Sequence, residues 1–278
     1  MNTVTVMGLG LMGGSLCRAL KAEERPPTVL GVDSDVTRGA QAVKAGVVDE
    51  FSPDGGDAVA RADVVVYATP LGATLTLLRE HSASWSREAL ITDLVSLKAP
   101  LVRAAGAGGF AHRYVGAHPV CGGEASGFEH SREGLFRGER IWLCAGDGVT
   151  DDARERGRLF WTGVGGDPEW IEARAHDEMM AWVSHLPQLV SNALAGALDS
   201  SGIDSSRLGP GGRDMTRLAG SSPNLWKDLL EASAPVTGVG LTSVAKALNV
   251  LADLLARRDV DRIAEFMERT RRWREGGA

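Results

Sequence analysis

The sequence predicts a doubly wound α/β domain with a mostly parallel sheet, followed by a second, all-helical domain. A glycine-rich turn near the start of the chain lies between a β-branched run and a helical pattern. Short apolar runs then alternate with helical spacing as far as Ile171, and after Glu172 the spacing becomes helical throughout. Alternation of this kind suits a parallel sheet, because parallel neighbours need a crossover connection that a helix supplies.

Strands are expected at Thr3–Met7, Thr28–Val32, Asp63–Ala68, Ala89–Asp93, Arg113–Ala117 and Ile141–Ala145, with Pro168–Ile171 as a last one. Asp177 to Leu198 is apolar nearly all round a helix, at Met179, Met180, Trp182, Val183, Leu186 and Leu189 among others, and is expected to be buried. Leu241, Val244, Leu248, Leu251 and Leu255 repeat at helical spacing, as do Val260, Ile263 and Met267. The expected division is therefore 1–172 and 173–278. The helical part has more apolar surface than it can hide alone, which predicts a homodimer formed through it.

Composition narrows the function. With 44% hydrophobic and 24% charged residues and 11 prolines among 278, the chain reads as globular, without a disordered stretch. A net charge of −6 offers no field for nucleic acid, and the basic run Arg269, Arg271, Arg272, Arg274 reads as a solvated helix end. Three cysteines without CxxC spacing argue against a disulfide framework or a zinc site and fit a reducing cytoplasm. No secretion signal is expected, and the lack of an unbroken run of about 18 apolar residues predicts no membrane span.

Gly8-Leu9-Gly10-Leu11-Met12-Gly13 directly follows the first strand and opens a helix, the context a dinucleotide turn requires. Gly8 allows the tight turn, Gly10 lets backbone approach a pyrophosphate, and Gly13 permits close packing of helix on strand. Asp33 ends the next strand, where a carboxylate accepts from ribose hydroxyls and repels a 2′-phosphate, so NAD is favoured over NADP. Asp33 could instead cap the following helix, a task open to Asp35 as well. Thr69 and Pro70 follow the third expected strand on the ligand edge and are expected beside the nicotinamide, or simply to turn the chain into its next helix.

Val115-Gly116-Ala117-His118-Pro119 places a histidine at a strand end, followed by Gly122, Gly123 and Glu124. Together with Asp93-Leu94-Val95-Ser96-Leu97-Lys98, His176-Asp177 through Ser184-His185-Leu186-Pro187, and Arg213-Asp214-Met215-Thr216-Arg217, this segment resembles the prephenate/arogenate dehydrogenase family. The resemblance implies that His118 takes the ring-hydroxyl proton as hydride leaves for NAD, that Ser96 holds the histidine or the hydroxyl, and that CO2 departs on aromatisation. It also implies substrate contacts from Arg217, Arg213, His185, Gln188 and Glu124, without a metal. Arg213 and Arg217 could instead form surface ion pairs with Asp214 or Asp228, a reading that weighs more for Arg213 than for Arg217; His185 could be a core histidine, and Lys98 is expected to be solvated. Cys121 is not expected to act as a nucleophile, since hydride transfer needs no covalent intermediate.

Gln188 stands where family members acting on prephenate often carry a second histidine, which keeps prephenate, arogenate and 4-amino-4-deoxyprephenate open as substrates. Two other readings compete. The opening glycine turn and Gly238-Val239-Gly240 with Lys246 and Asn249 faintly resemble 3-hydroxyisobutyrate-type dehydrogenases. A silent NAD-binding sensor is the second alternative, and the joint presence of Ser96, His118 and Arg217 weighs against it.

Overall fold

The computed structural model describes residues 1–122 and 127–276, with backbone only at 224 and 225. Glu124, expected at the substrate, lies outside the described residues. The chain forms two compact units, Met1–Met180 with Gly220–Ala232, and Ala181–Ala219 with Ser233–Ala278.

The first unit is built on eight strands: β1 (Thr3–Met7), β2 (Thr28–Val32), β3 (Glu50–Ser52), β4 (Val64–Tyr67), β5 (Leu90–Asp93), β6 (Tyr114–Pro119), β7 (Arg140–Cys144) and β8 (Asp167–Trp170). They form one sheet in the order β3-β2-β1-β4-β5-β6-β7-β8. β1 to β6 run parallel, β7 is antiparallel to β6, and β8 is parallel to β7. Strand order reverses between β1 and β4, so the carboxyl ends of these strands open the crevice in which such sheets bind ligands. The expected strands all appear, with ends moved by one or two residues. β3 was not expected: Glu50-Phe51-Ser52 is three residues long and carries no β-branched run, so its pairing with β2 decides its conformation.

Helices cover both faces: α1 (Leu11–Lys21), α2 (Val36–Lys44), α3 (Gly56–Arg61), α4 (Leu71–His81), α5 (Ala99–Ala107), α6 (Asp151–Gly163) and α7 (Ala173–Met180). The pleat divides β4 between two cores, Val64 and Val66 packing with Leu16, Leu20 and Trp161, and Val65 and Tyr67 with Leu78, Ile91 and Leu101. Burial of both faces explains why Val64-Val65-Val66-Tyr67 is apolar without alternation.

The second unit is helical. The apolar stretch Asp177–Leu198 is not one helix: α7 ends at Met180, a π-helical turn spans Ala181–His185, and α8 is Leu186–Ser200. Nor is it buried all round within this chain, since Trp182 and Val183 are exposed. α9 (Pro210–Thr216), α10 (Pro223–Ala256) and α11 (Val260–Arg274) complete the chain, the start of α10 belonging to the first unit. Leu248, Val250 and Leu255 of α10 and Val260, Met267 and Trp273 of α11 are exposed. Among the described residues one segment, Trp226–Ala256, is long and apolar enough by length and composition to cross a membrane, with mean hydropathy 1.4. The expectation that none would be rested on unbroken apolar runs, which the serines, threonines and glycines of α10 interrupt without lowering the average much.

Candidate active site

The turn after β1 separates the work of its glycines. Gly8 has φ +96°, and a Cβ there would sit 2.6 Å from the Ala68 carbonyl oxygen. A Cβ on Gly13 would fall 1.8 Å from the Gly8 oxygen, so neither position tolerates a side chain. A Cβ on Gly10 would meet nothing within 4 Å. Packing therefore does not demand glycine at position 10, whereas a ligand lying against the backbone does. Gly10 also begins α1 without a side-chain cap, leaving first-turn N–H groups for an anion. The turn thus fits a dinucleotide. Leu9 is a core side chain, and Leu11 and Met12 pack partly against the same core, so these three contribute through backbone.

Asp33 accepts from the Leu9 N–H at 2.7 Å and the Asp35 N–H at 2.9 Å, which ties β2 to the glycine turn. Asp35, not Asp33, caps α2, accepting from the Thr37 and Arg38 N–H groups. Arg38 Nη1 lies 2.9 Å from the Asp33 carboxylate and shares it, and this contact pushes the guanidinium above its ordinary pKa. The sequence reading missed Arg38. Thr69 hydrogen-bonds Thr74 at 2.8 Å and Pro70 precedes α4, so both turn the chain, while the Thr69 methyl borders Gly8.

Lys98 overturns the expectation of a solvated lysine. It is fully buried, pairs with Asp93, and donates to the Ala117 carbonyl at 2.6 Å. Asp93 also accepts from the Tyr114 hydroxyl at 2.6 Å and the Val95 N–H at 2.8 Å. Burial, followed by the Asp93 charge, raises the Tyr114 phenol well above its usual pKa, so it stays a donor. A Cβ on Gly116 would stand 3.0 Å from that hydroxyl, which accounts for the glycine. A lysine is buried here because its partner comes from its own loop, a backbone carbonyl takes a second ammonium proton, and the carboxylate gains two further donors. This clamp joins the β5 loop to the residue before His118. Ser96 is the residue of 93–98 that is not buried, and His118 is likewise partly exposed between buried neighbours.

His118 Nδ1 lies 2.9 Å from His176 Nε2, with the rings at 84°. His176, completely buried, places Nδ1 2.8 Å from Asp177 Oδ1. Asp177 in turn accepts from the Lys98 N–H at 2.8 Å and the Ala99 N–H at 2.9 Å, capping α5 from outside. The partner that orients His118 through Nδ1 is thus His176 rather than Ser96. Adjacent His-Asp at the start of the second half was visible in the sequence, but its pairing with a residue 58 positions earlier was not.

Cys121 is partly buried, and burial pushes its thiol up to about 12, against a nucleophilic role. Among the described residues no cluster suited to a metal ion occurs.

In the second unit, His185 ends the π turn, is buried, and hydrogen-bonds Ser233 at 2.9 Å. Such turns recur at functional positions. Gln188 Nε2 donates to the Leu218 carbonyl and to Asn192 Oδ1, both at 2.8 Å, and Ser191 accepts from the Ala219 N–H at 3.2 Å. These bonds fasten α8 to the turn that carries Arg217. Arg217 and Arg213 are both exposed, and Arg213 donates to the Leu208 carbonyl.

A dinucleotide turn and a strand-end imidazole on one edge of a parallel sheet give the first unit the build of a dinucleotide-dependent oxidoreductase. Residues 16–167 match the model of the prephenate dehydrogenase nucleotide-binding domain, and residues 172–269 match that of the prephenate dehydrogenase dimerization domain. The chain belongs to the prephenate dehydrogenase family. It is 27% identical to the prephenate dehydrogenase of Bacillus subtilis, over 99% of this chain and 76% of that protein. Prephenate dehydrogenase of Aquifex aeolicus, solved with hydroxyphenyl propionate and NAD+, is 28% identical, with TM-score 0.91 over 99% of this chain and 98% of that one. Synechocystis arogenate dehydrogenase is 25% identical, with TM-score 0.83 over 99% of both chains. The 3-hydroxyisobutyrate-type reading gains nothing from the family match, and Gly238, Gly240, Lys246 and Asn249 all lie within α10.

Proposed function

We propose that the chain catalyses NAD-dependent oxidative decarboxylation of a cyclohexadienol, prephenate or arogenate, in tyrosine formation. The observation that carries this is a histidine, at the same sheet edge as the glycine turn, whose Nδ1 is taken up by a buried partner at 2.9 Å. The Gly8–Gly13 turn and Asp33 hold NAD, which when bound supplies the hydride acceptor. His118 takes the hydroxyl proton, Ser96 orients that hydroxyl, and the ring carboxylate leaves as CO2 because its electron pair completes the aromatic ring. Arg217 binds a substrate carboxylate through charge-assisted bonds, each contributing about 1.5–3 kcal/mol. The dimerization-domain match and the exposed apolar residues of α10 and α11 support a homodimer.

One observation favours arogenate over prephenate. Because Gln188 Nε2 faces two acceptors, the amide orientation is fixed, and its buried Oε1 has no hydrogen-bond partner among the described residues. An ammonium group satisfies that oxygen, whereas a keto oxygen opposes it. Measured with NAD, kcat/KM for arogenate is expected to exceed that for prephenate at least about tenfold, and Gln188→His narrows the ratio. Preference for prephenate removes the assignment of Gln188, and absence of NADH formation with either substrate removes the proposed reaction.

A further inference from the structure

We propose that His176 and Asp177 are positioning residues that fix the tautomer of His118 and make its Nε2 the proton-accepting atom. The inference rests on His118 being the base, but its logic comes from the order of donors along the chain of contacts. Asp177 receives the Lys98 N–H on Oδ1 and the Ala99 N–H on Oδ2, at the start of α5, where the helix also favours negative charge. With backbone donors on both oxygens it can only accept from His176. The Asp177–His176 contact at 2.8 Å therefore takes its proton from His176 Nδ1. A neutral imidazole protonated on Nδ1 has a bare Nε2, and that nitrogen faces His118 Nδ1 at 2.9 Å. His118 must then carry its own proton on Nδ1, leaving the Nε2 lone pair to receive the proton of a substrate hydroxyl.

The arrangement also distributes the charge created by that step. When Nε2 of His118 gains the proton, its Nδ1–H is already directed at His176 Nε2, and the carboxylate behind His176 offsets the new positive charge. His176 is completely buried, so water does not compete for either ring nitrogen. Ser96 is thereby released from holding the ring through Nδ1.

Replacement of Asp177 by Asn has a specific consequence. An amide cannot accept on both sides, so whenever its NH2 faces His176 the ring must adopt the Nε2–H form and direct a donor at His118. His118 then carries its proton on Nε2 and has no lone pair for the substrate. Replacing His176 by Gln preserves one acceptor and one donor, while Leu preserves neither.

The test combines rates with a direct view of the ring. In full-length enzyme, Asp177→Asn is expected to lower kcat about 100-fold with NAD affinity unchanged, and to move the acidic limb of the kcat/KM pH profile to lower pH, since the carboxylate that favours protonated His118 is gone. His176→Leu should lose about as much, and His176→Gln should recover at least about tenfold of it. Nitrogen-15 NMR of the histidine rings, with His118→Asn identifying the His118 signals, should show the Nδ1–H form in the wild type and its loss in Asp177→Asn. An Nε2–H form in the wild type, or an Asp177→Asn enzyme with wild-type rate and pH profile, overturns the proposal. Undiminished turnover in His118→Asn overturns instead the assignment of the base on which the proposal rests, and the NMR pattern still reports the tautomer.

Discussion

Asp93 and Asp177 bind the two ends of one loop and use their charge differently. Asp93 is fully buried and committed within the fold, to Lys98, Tyr114 and the Val95 N–H. Asp177 is partly exposed, and it is joined through His176 to the Nδ1 of His118. The first arrangement makes the strand end rigid, and the second is the one proposed to make it reactive. The glycine turn repeats the division, with Gly8 and Gly13 closed by packing and Gly10 left open.

The contrast breaks most visibly at Lys98. Lys98→Met leaves the Asp93 carboxylate buried without its cation and is expected to cost about 3–5 kcal/mol in urea unfolding, whereas Asp177→Asn, which disturbs a helix cap, costs about 1 kcal/mol. Equal losses in the two variants would mean that the clamp and the relay are not separate devices. Gly13→Ala is expected to destabilise the protein by about 1–3 kcal/mol through overpacking, and Gly10→Ala to leave the urea midpoint unchanged while weakening NAD about tenfold in a binding titration. A Gly10→Ala protein that binds NAD normally would show that nothing approaches that face of the turn. The smallest effect concerns the thiols. Burial pushes Cys17, Cys121 and Cys144 each up to about 12, so at pH 8 the thiolate fraction is on the order of one in ten thousand, and iodoacetamide should leave turnover intact. Rapid inactivation traced to Cys121 would put a reactive group beside His118 that the account does not contain.

The sequence made the sheet legible where strands are buried on both faces, because those strands are apolar without interruption; β3, short and paired on a single flank, gave no such signal. The glycine turn and His118 could be read because each is a local pattern tied to a strand end. Lys98 was misread although its partner lies five residues earlier in the same motif, since the hydroxyl that helps bury the pair comes from Tyr114 on another strand. Arg38 and His176 escaped for the same reason: their importance depends on contacts that only the folded chain brings about. The exposed apolar positions of α10 and α11 were recognised as core-like from their period, and within one chain they remain uncovered.

The most direct test of the account is NADH formation from arogenate and from prephenate by wild-type enzyme and His118→Asn, alongside a titration of NAD into both proteins. The account predicts at least about a thousandfold loss of turnover in the variant with NAD affinity unchanged. A His118→Asn enzyme that turns over as the wild type does would contradict it.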